Sequence, residues 1–126
     1  MGRLSGALTV LILIAAVGIT GFLINIRTAR SVKEKLEDCL TLADQGNYSA
    51  SANQLRNAKQ EWDDKVEIML LFESHGKLDE IEEAMNVAQS YIDKNEINLF
   101  YAKCRLAETL LEHYENVEYP NMYNIL

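Results

Sequence analysis

Residues 4–26 form an unbroken run of uncharged, mostly aliphatic side chains, closed by Arg3 before it and by Arg27 and Arg30 after it. As one α-helix the run is roughly 34 Å long, enough to cross a hydrocarbon core of about 30 Å. It divides the chain into an anchor, residues 1–26, and a polar remainder, residues 27–126. A cleaved export signal is the competing reading, with Ala16-Val17-Gly18 as a small-residue processing site. The run continues past that site through Ile19, Phe22, Leu23, Ile24 and Ile26, which a cleaved signal does not need. A retained, single-pass span in the cell membrane is therefore expected, with the lipid bilayer as partner of residues 4–26. Ala16, Gly18, Thr20 and Gly21 give it a small-residue face through which two spans would pair as a homodimer.

The remainder, about 100 residues, suffices for one small domain with a single core. It holds all 19 acidic residues and all but one of the 12 basic ones, a formal charge of −8. So acidic a domain lacks the basic face that phosphate binding requires, which excludes nucleic acid as a partner. Contact with anionic lipid is confined to the juxtamembrane cluster Arg27, Arg30, Lys33 and Lys35. With one proline, Pro120, and four of the six glycines at or before Gly21, long stretches contain nothing that breaks a helix.

Apolar residues recur there at helical spacing in four segments. The first, continuous with the span, carries Val32, Leu36, Cys39, Leu40 and Ala43. It ends at Asp44-Gln45-Gly46-Asn47, where Gly46 suits a left-handed cap and Asn47 caps the next start. The second carries Tyr48, Ala52, Leu55, Trp62, Val66 and Met69, with Lys59 laying its aliphatic stem along the seam. Ser74-His75-Gly76 interrupts it. The third carries Leu78, Ile81, Met85, Ala88 and Ile92, and a turn at Asp93-Lys94-Asn95 leads to the fourth. That segment shows Ile97, Phe100, Cys104, Ala107, Leu111 and Tyr114, widened by Leu99, Leu106 and Leu110. A faint self-similarity at an offset of about 49 residues aligns Asp44 with Asp93, Leu55 with Cys104, Ala58 with Ala107 and Trp62 with Leu111.

The predicted fold is all-α: one N-terminal transmembrane helix continuing into an antiparallel bundle of about four helices, then an irregular tail over about 115–126. A stack of helical hairpins is the alternative.

Besides the short anchor, several short elements recur in a characteristic order: Asn47-Tyr48 with Ala52, Leu55 and Trp62; Leu71, His75 and Leu78-Asp79-Glu80-Ile81; Tyr91-Ile92; Leu110-Leu111-Glu112-His113; and Asn124-Ile125-Leu126. In this the chain resembles, over nearly its whole length, a bacterial family known chiefly from Firmicutes and described as domain of unknown function 4363. It departs from the pattern at Tyr48, where tryptophan is more typical, and at Tyr114, where isoleucine before proline is expected. The resemblance implies a small anchored protein with an exported helical domain and no settled biochemical activity. The flanking basic residues point the other way, to a cytoplasmic domain. On the resemblance, the domain is expected to be extracytoplasmic.

No phosphate loop, metal-ligand spacing or nucleophile constellation is present, so no catalytic, cofactor or metal residue is expected. His75 and His113, the only histidines, invite a two-histidine, one-carboxylate metal site with Glu73, Asp79 or Glu112, but the close His/Glu pairing typical of helical metal sites is missing. They read instead as structural or interaction residues, as does the lone tryptophan, Trp62. Cys39 and Cys104 would form a disulfide if the first and last helices packed side by side in an oxidising compartment, and otherwise serve as buried thiols. The expected function is that of a non-enzymatic helical interaction or accessory module of the bacterial cell envelope, partnering another membrane or envelope protein. A sensor passing a ligand-dependent helix shift to the span is the alternative, and an enzyme working through the histidines ranks last.

Overall fold

The computed structural model describes residues 2–71 and 75–125, with side chains as far as Tyr114. Four helices follow one another: α1 (Gly2–Asp44), α2 (Tyr48–Met69), α3 (His75–Asp93) and α4 (Ile97–Ile125). The span and the first polar segment are thus one unbroken helix of 43 residues. Each helix packs on its two neighbours around a ring, α1 on α2, α2 on α3, α3 on α4 and α4 back on α1, with no contact across a diagonal among the described residues. Side-chain pairs fix the direction of travel. Cys39 meets Ser51 and, earlier on α1, Ser31 and Lys35 meet Glu61 further along α2, so α1 and α2 run antiparallel. Tyr101 meets Asp44 while Cys104 lies near Leu36, so α4 is antiparallel to α1 as well. The result is the expected all-α, up-down-up-down bundle.

The two distal turns are built alike. The Gly46 N–H donates to the Ala43 carbonyl (2.9 Å) and the Asn47 N–H to that of Leu42 (3.0 Å), with Gly46 at φ 77°. Between α3 and α4 the Asn95 N–H donates to the Ile92 carbonyl (3.1 Å) and the Glu96 N–H to that of Tyr91 (2.9 Å), with Asn95 at φ 59°. Both are Schellman caps, in which a left-handed residue lets two amides close the orphan carbonyls of a helix end. Gly46 and Asn95 occupy equivalent places in the register of the sequence self-similarity. Asn47 then caps α2 as anticipated, its side chain accepting the Ala50 N–H at 3.3 Å.

The core is the inner face of all four helices: Val32, Leu36 and Cys39 from α1, Leu55, Ala58 and Trp62 from α2, Leu78, Ile81 and Met85 from α3, and Phe100, Cys104 and Leu111 from α4. Five expectations need correction. Packing does not begin after Ile26 but at Gly21, so the bundle reaches back into the apolar run, with Asn25 and Ile26 both buried. On α2 the seam runs through Ser51, Leu55, Ala58 and Trp62, leaving Tyr48 exposed and Lys59 beside the seam instead of on it. On α4 Leu99 and Leu106 do not widen the core; they are 48 % and 42 % exposed.

The fourth concerns the C-terminal segment expected to be irregular, which is helical as far as Ile125. Once a packed helix is nucleated, each added residue without glycine costs little, and apart from Pro120, which removes one hydrogen bond and crowds the carbonyl four residues earlier, the segment carries no helix breaker. The Ser74-His75-Gly76 interruption is also shifted: α2 ends at Met69, and His75 and Gly76 belong to the first turn of α3.

Candidate functional site

Three features stand out from an otherwise filled bundle. The first is the bare half of α1. Leu4, Leu8, Leu11, Ile12, Leu13, Ile14, Val17 and Ile19 are each more than half exposed, a density of apolar surface that water does not tolerate on a soluble domain. Among the described residues α1 is the single helix long and apolar enough to cross a membrane.

The second is a buried polar cluster where α1, α2 and α4 meet. The Ser51 hydroxyl donates to the Cys39 carbonyl (2.7 Å), and the Cys39 thiol lies 3.1 Å from both the carbonyl and the hydroxyl oxygen of Ser51. Across the core the Cys104 thiol sits 3.9 Å from the Leu36 carbonyl and beside the Cys39 thiol. That neighbouring thiol, together with burial, pushes Cys104 well above the usual thiol range. The Cys104 thiol in turn draws Cys39 down, with burial opposing it. The two cysteines singled out in the sequence are therefore brought together, as two free buried thiols. Ser51 escapes a reading of the sequence because a serine on a helix ordinarily faces solvent. Its only signal there is its spacing, one helical turn before Leu55 and two before Ala58, which places it on the inner face.

The third is a shallow cleft between α3 and α4, about 180 Å³, lined by Lys77, Glu80, Ile81, Leu110, His113 and Tyr114. It is smaller than the ~300 Å³ at which ligand pockets usually begin. His113 is exposed at its rim, whereas His75, exposed in the first turn of α3, does not line it. No group of three His, Cys, Asp or Glu side chains among the described residues is arranged to hold a metal ion, and Glu73 lies outside them. Trp62 is wholly buried at the centre of the core, and its Nε1–H meets no acceptor among the described residues.

Two carboxylates also approach each other across α1 and α4. Burial, and then a hydrogen bond shared with Glu37, raise Glu108 above the ordinary carboxylate range, with Lys33 and Arg105 pulling it partly back. At the distal end the Tyr101 hydroxyl donates to Asp44 Oδ1 at 2.6 Å, and this bond, with burial, moves the phenol up to about 12.

The architecture thus defines a class: a small four-helix bundle whose first helix extends as a bare apolar arm. The family is equally plain, because residues 24–125 match the model of the domain of unknown function DUF4363, and the chain belongs to that family. The matched segment begins close to where packing begins and leaves the free apolar arm outside. No curated protein matches the chain. Nor does any solved structure match it.

Proposed function

We propose that this protein is a membrane-anchored, non-enzymatic interaction module of the bacterial cell envelope, its helical domain held on the extracytoplasmic side to engage another membrane or envelope protein. One observation supports the reading: a single unbroken helix leaves one half bare and apolar and gives its other half to the core of the bundle. Such a helix fixes the domain close to the membrane, where its partners would be integral-membrane proteins or envelope components. The outer face of α4 supplies a contact surface, since Leu99 and Leu106 stand exposed one heptad apart with Ala102 between them.

Two measurements test it. A reporter fused after Leu126 should be active outside the cytoplasm, and activity on the inner side would reverse the orientation. A photo-crosslinking side chain at Leu106 in intact cells should trap one discrete membrane protein, while the same group at Asn57 traps none. Equal, diffuse labelling from both positions would leave the interaction reading without support.

The continuity of α1 also favours a second reading, a sensor whose bundle moves the span as a lever. A ligand acting this way would raise the melting temperature of the full-length protein, whereas an accessory module would respond to its protein partner.

A further inference from the structure

The free part of α1 is shorter than a bilayer. Residues 4–20, between Arg3 and the first buried position Gly21, reach only about 26 Å as a helix, against a hydrocarbon core of about 30 Å. To complete the crossing the hydrocarbon must extend along α1 to the level of Leu23 and Ile24, where the bundle is already packed around the helix. What lies beside that stretch must then share its depth.

The C-terminal end of α2 lies there. Ile68 and Leu71 form one wall of a groove whose other wall is Leu13, Ala16, Val17, Thr20, Gly21 and Ile24 of the span. Apart from the Thr20 hydroxyl, no lining side chain is polar, and that hydroxyl is already spent on the Ala16 carbonyl at 2.8 Å. Leu71 is 78 % exposed and Ile68 37 %, so neither is part of the core. The one amide in the apolar run points the other way: Asn25 is 1 % exposed, turned into the bundle where lipid would not reach it.

From these placements we infer that the α2 end of the α2–α3 hairpin is a second membrane contact, with Ile68 and Leu71 immersed among lipid acyl chains beside the span. The occupant of the groove is lipid, because the surface is continuous with the helix face that the bilayer covers. The inference rests on the reading of α1 as a retained span. Its consequence is mechanical: a bundle touching the membrane at two points is fixed in tilt, and α4 presents Leu99 and Leu106 at a set height and angle.

The test uses the full-length protein in phosphatidylcholine vesicles, without bromine or with bromine atoms either near the top or near the end of the acyl chains, and three tryptophan variants read against the unaltered protein, each at the bromine depth that quenches it most. Native Trp62 is wholly buried and supplies a constant background. Leu71→Trp, at an exposed position that tolerates the change, should lose its added emission in brominated vesicles by a factor comparable to Leu13→Trp. Asn57→Trp, exposed on the distal half of α2, should be unaffected. If Leu13→Trp is quenched and Leu71→Trp is not, the second contact is wrong while the anchor stands; a groove filled by protein would give this result. If Leu13→Trp is not quenched either, the anchor reading fails and takes the second contact with it.

Discussion

Ser51 and Cys39 hold each other reciprocally: the serine hydroxyl donates to the cysteine carbonyl at 2.7 Å, and the cysteine thiol lies 3.1 Å from the serine carbonyl. This is the point at which α2 is locked to α1, in the first turn of α2 after the Gly46 cap. A hydroxyl buried here without a partner would cost more than it contributes, so the bond is what allows a polar residue on the seam. Ser51→Ala is expected to destabilise the full-length protein in detergent by about 1–2 kcal/mol, the usual cost of losing a buried bond and stranding its partner. Denaturation followed by circular dichroism would measure it, and an unchanged midpoint would show that the bond does not tie the two helices.

Glu108 makes stability depend on pH in the direction opposite to most carboxylates. Its raised value means that the folded state prefers the protonated form, so this contribution is complete below the unfolded value of about 4.3 and is lost as pH rises through the folded value. Glu108→Gln removes the like-charge approach to Glu37 and should raise the melting temperature at pH 7. The gain should vanish near pH 4, where the wild type is itself protonated. A gain that persists at pH 4 would assign the effect to packing.

Tyr101 follows the same sign at the alkaline end. Its phenol, at about 12 in the fold, lends stability that is fully present below the unfolded value of about 10 and lost as pH rises through 12. Ultraviolet titration should show a tyrosine ionising near 12, and Asp44→Asn should move that phase to lower pH. If the late phase survives that change, the Asp44 hydrogen bond is not its cause.

Much of this arrangement is legible in the chain. The apolar stripes place Val32, Leu36, Leu55, Ile81, Phe100 and Leu111 in the core because a helix of period 3.6 leaves one face for burial, and the short turns leave antiparallel packing as the simple solution. The meeting of Cys39 with Cys104 also follows from first and last helices lying side by side. The stripe on α2 holds at Leu55, Trp62 and Met69 but misses Ser51 and Ala58 for a physical reason. Alanine and serine at Ala58 and Ser51 bring helices close, but their small side chains carry little hydrophobic signal, so Tyr48 and Lys59 look like seam residues in their place. The start of packing at Gly21 is hidden for a different reason, since lipid and a protein core select the same apolar residues.

The two left-handed positions separate backbone from side-chain effects. Gly46 adopts φ 77° with open space where a methyl group would stand, so Gly46→Ala incurs conformational strain alone, about 1 kcal/mol. Asn95 already carries that strain at φ 59°, and Asn95→Gly should therefore stabilise the protein slightly or leave it unchanged. Thermal melting of the two variants gives the comparison, and opposite signs from equivalent turns would establish that the caps are conformationally alike. Destabilisation by Asn95→Gly would instead mean that the asparagine side chain contributes there.

Trp62 offers the sharpest distinction between packing and recognition. It is the largest side chain in the core, wholly buried, with an Nε1–H that finds no acceptor among the described residues. Trp62→Ala opens a cavity and should cost about 3–5 kcal/mol. Trp62→Phe keeps most of the apolar volume and removes the unpaired donor, whose burial is itself unfavourable, so it should cost less than half as much. Melting of the two variants in detergent gives the ratio. A phenylalanine variant as unstable as the alanine one would show that the indole nitrogen is engaged after all, and would return Trp62 to consideration as a binding residue.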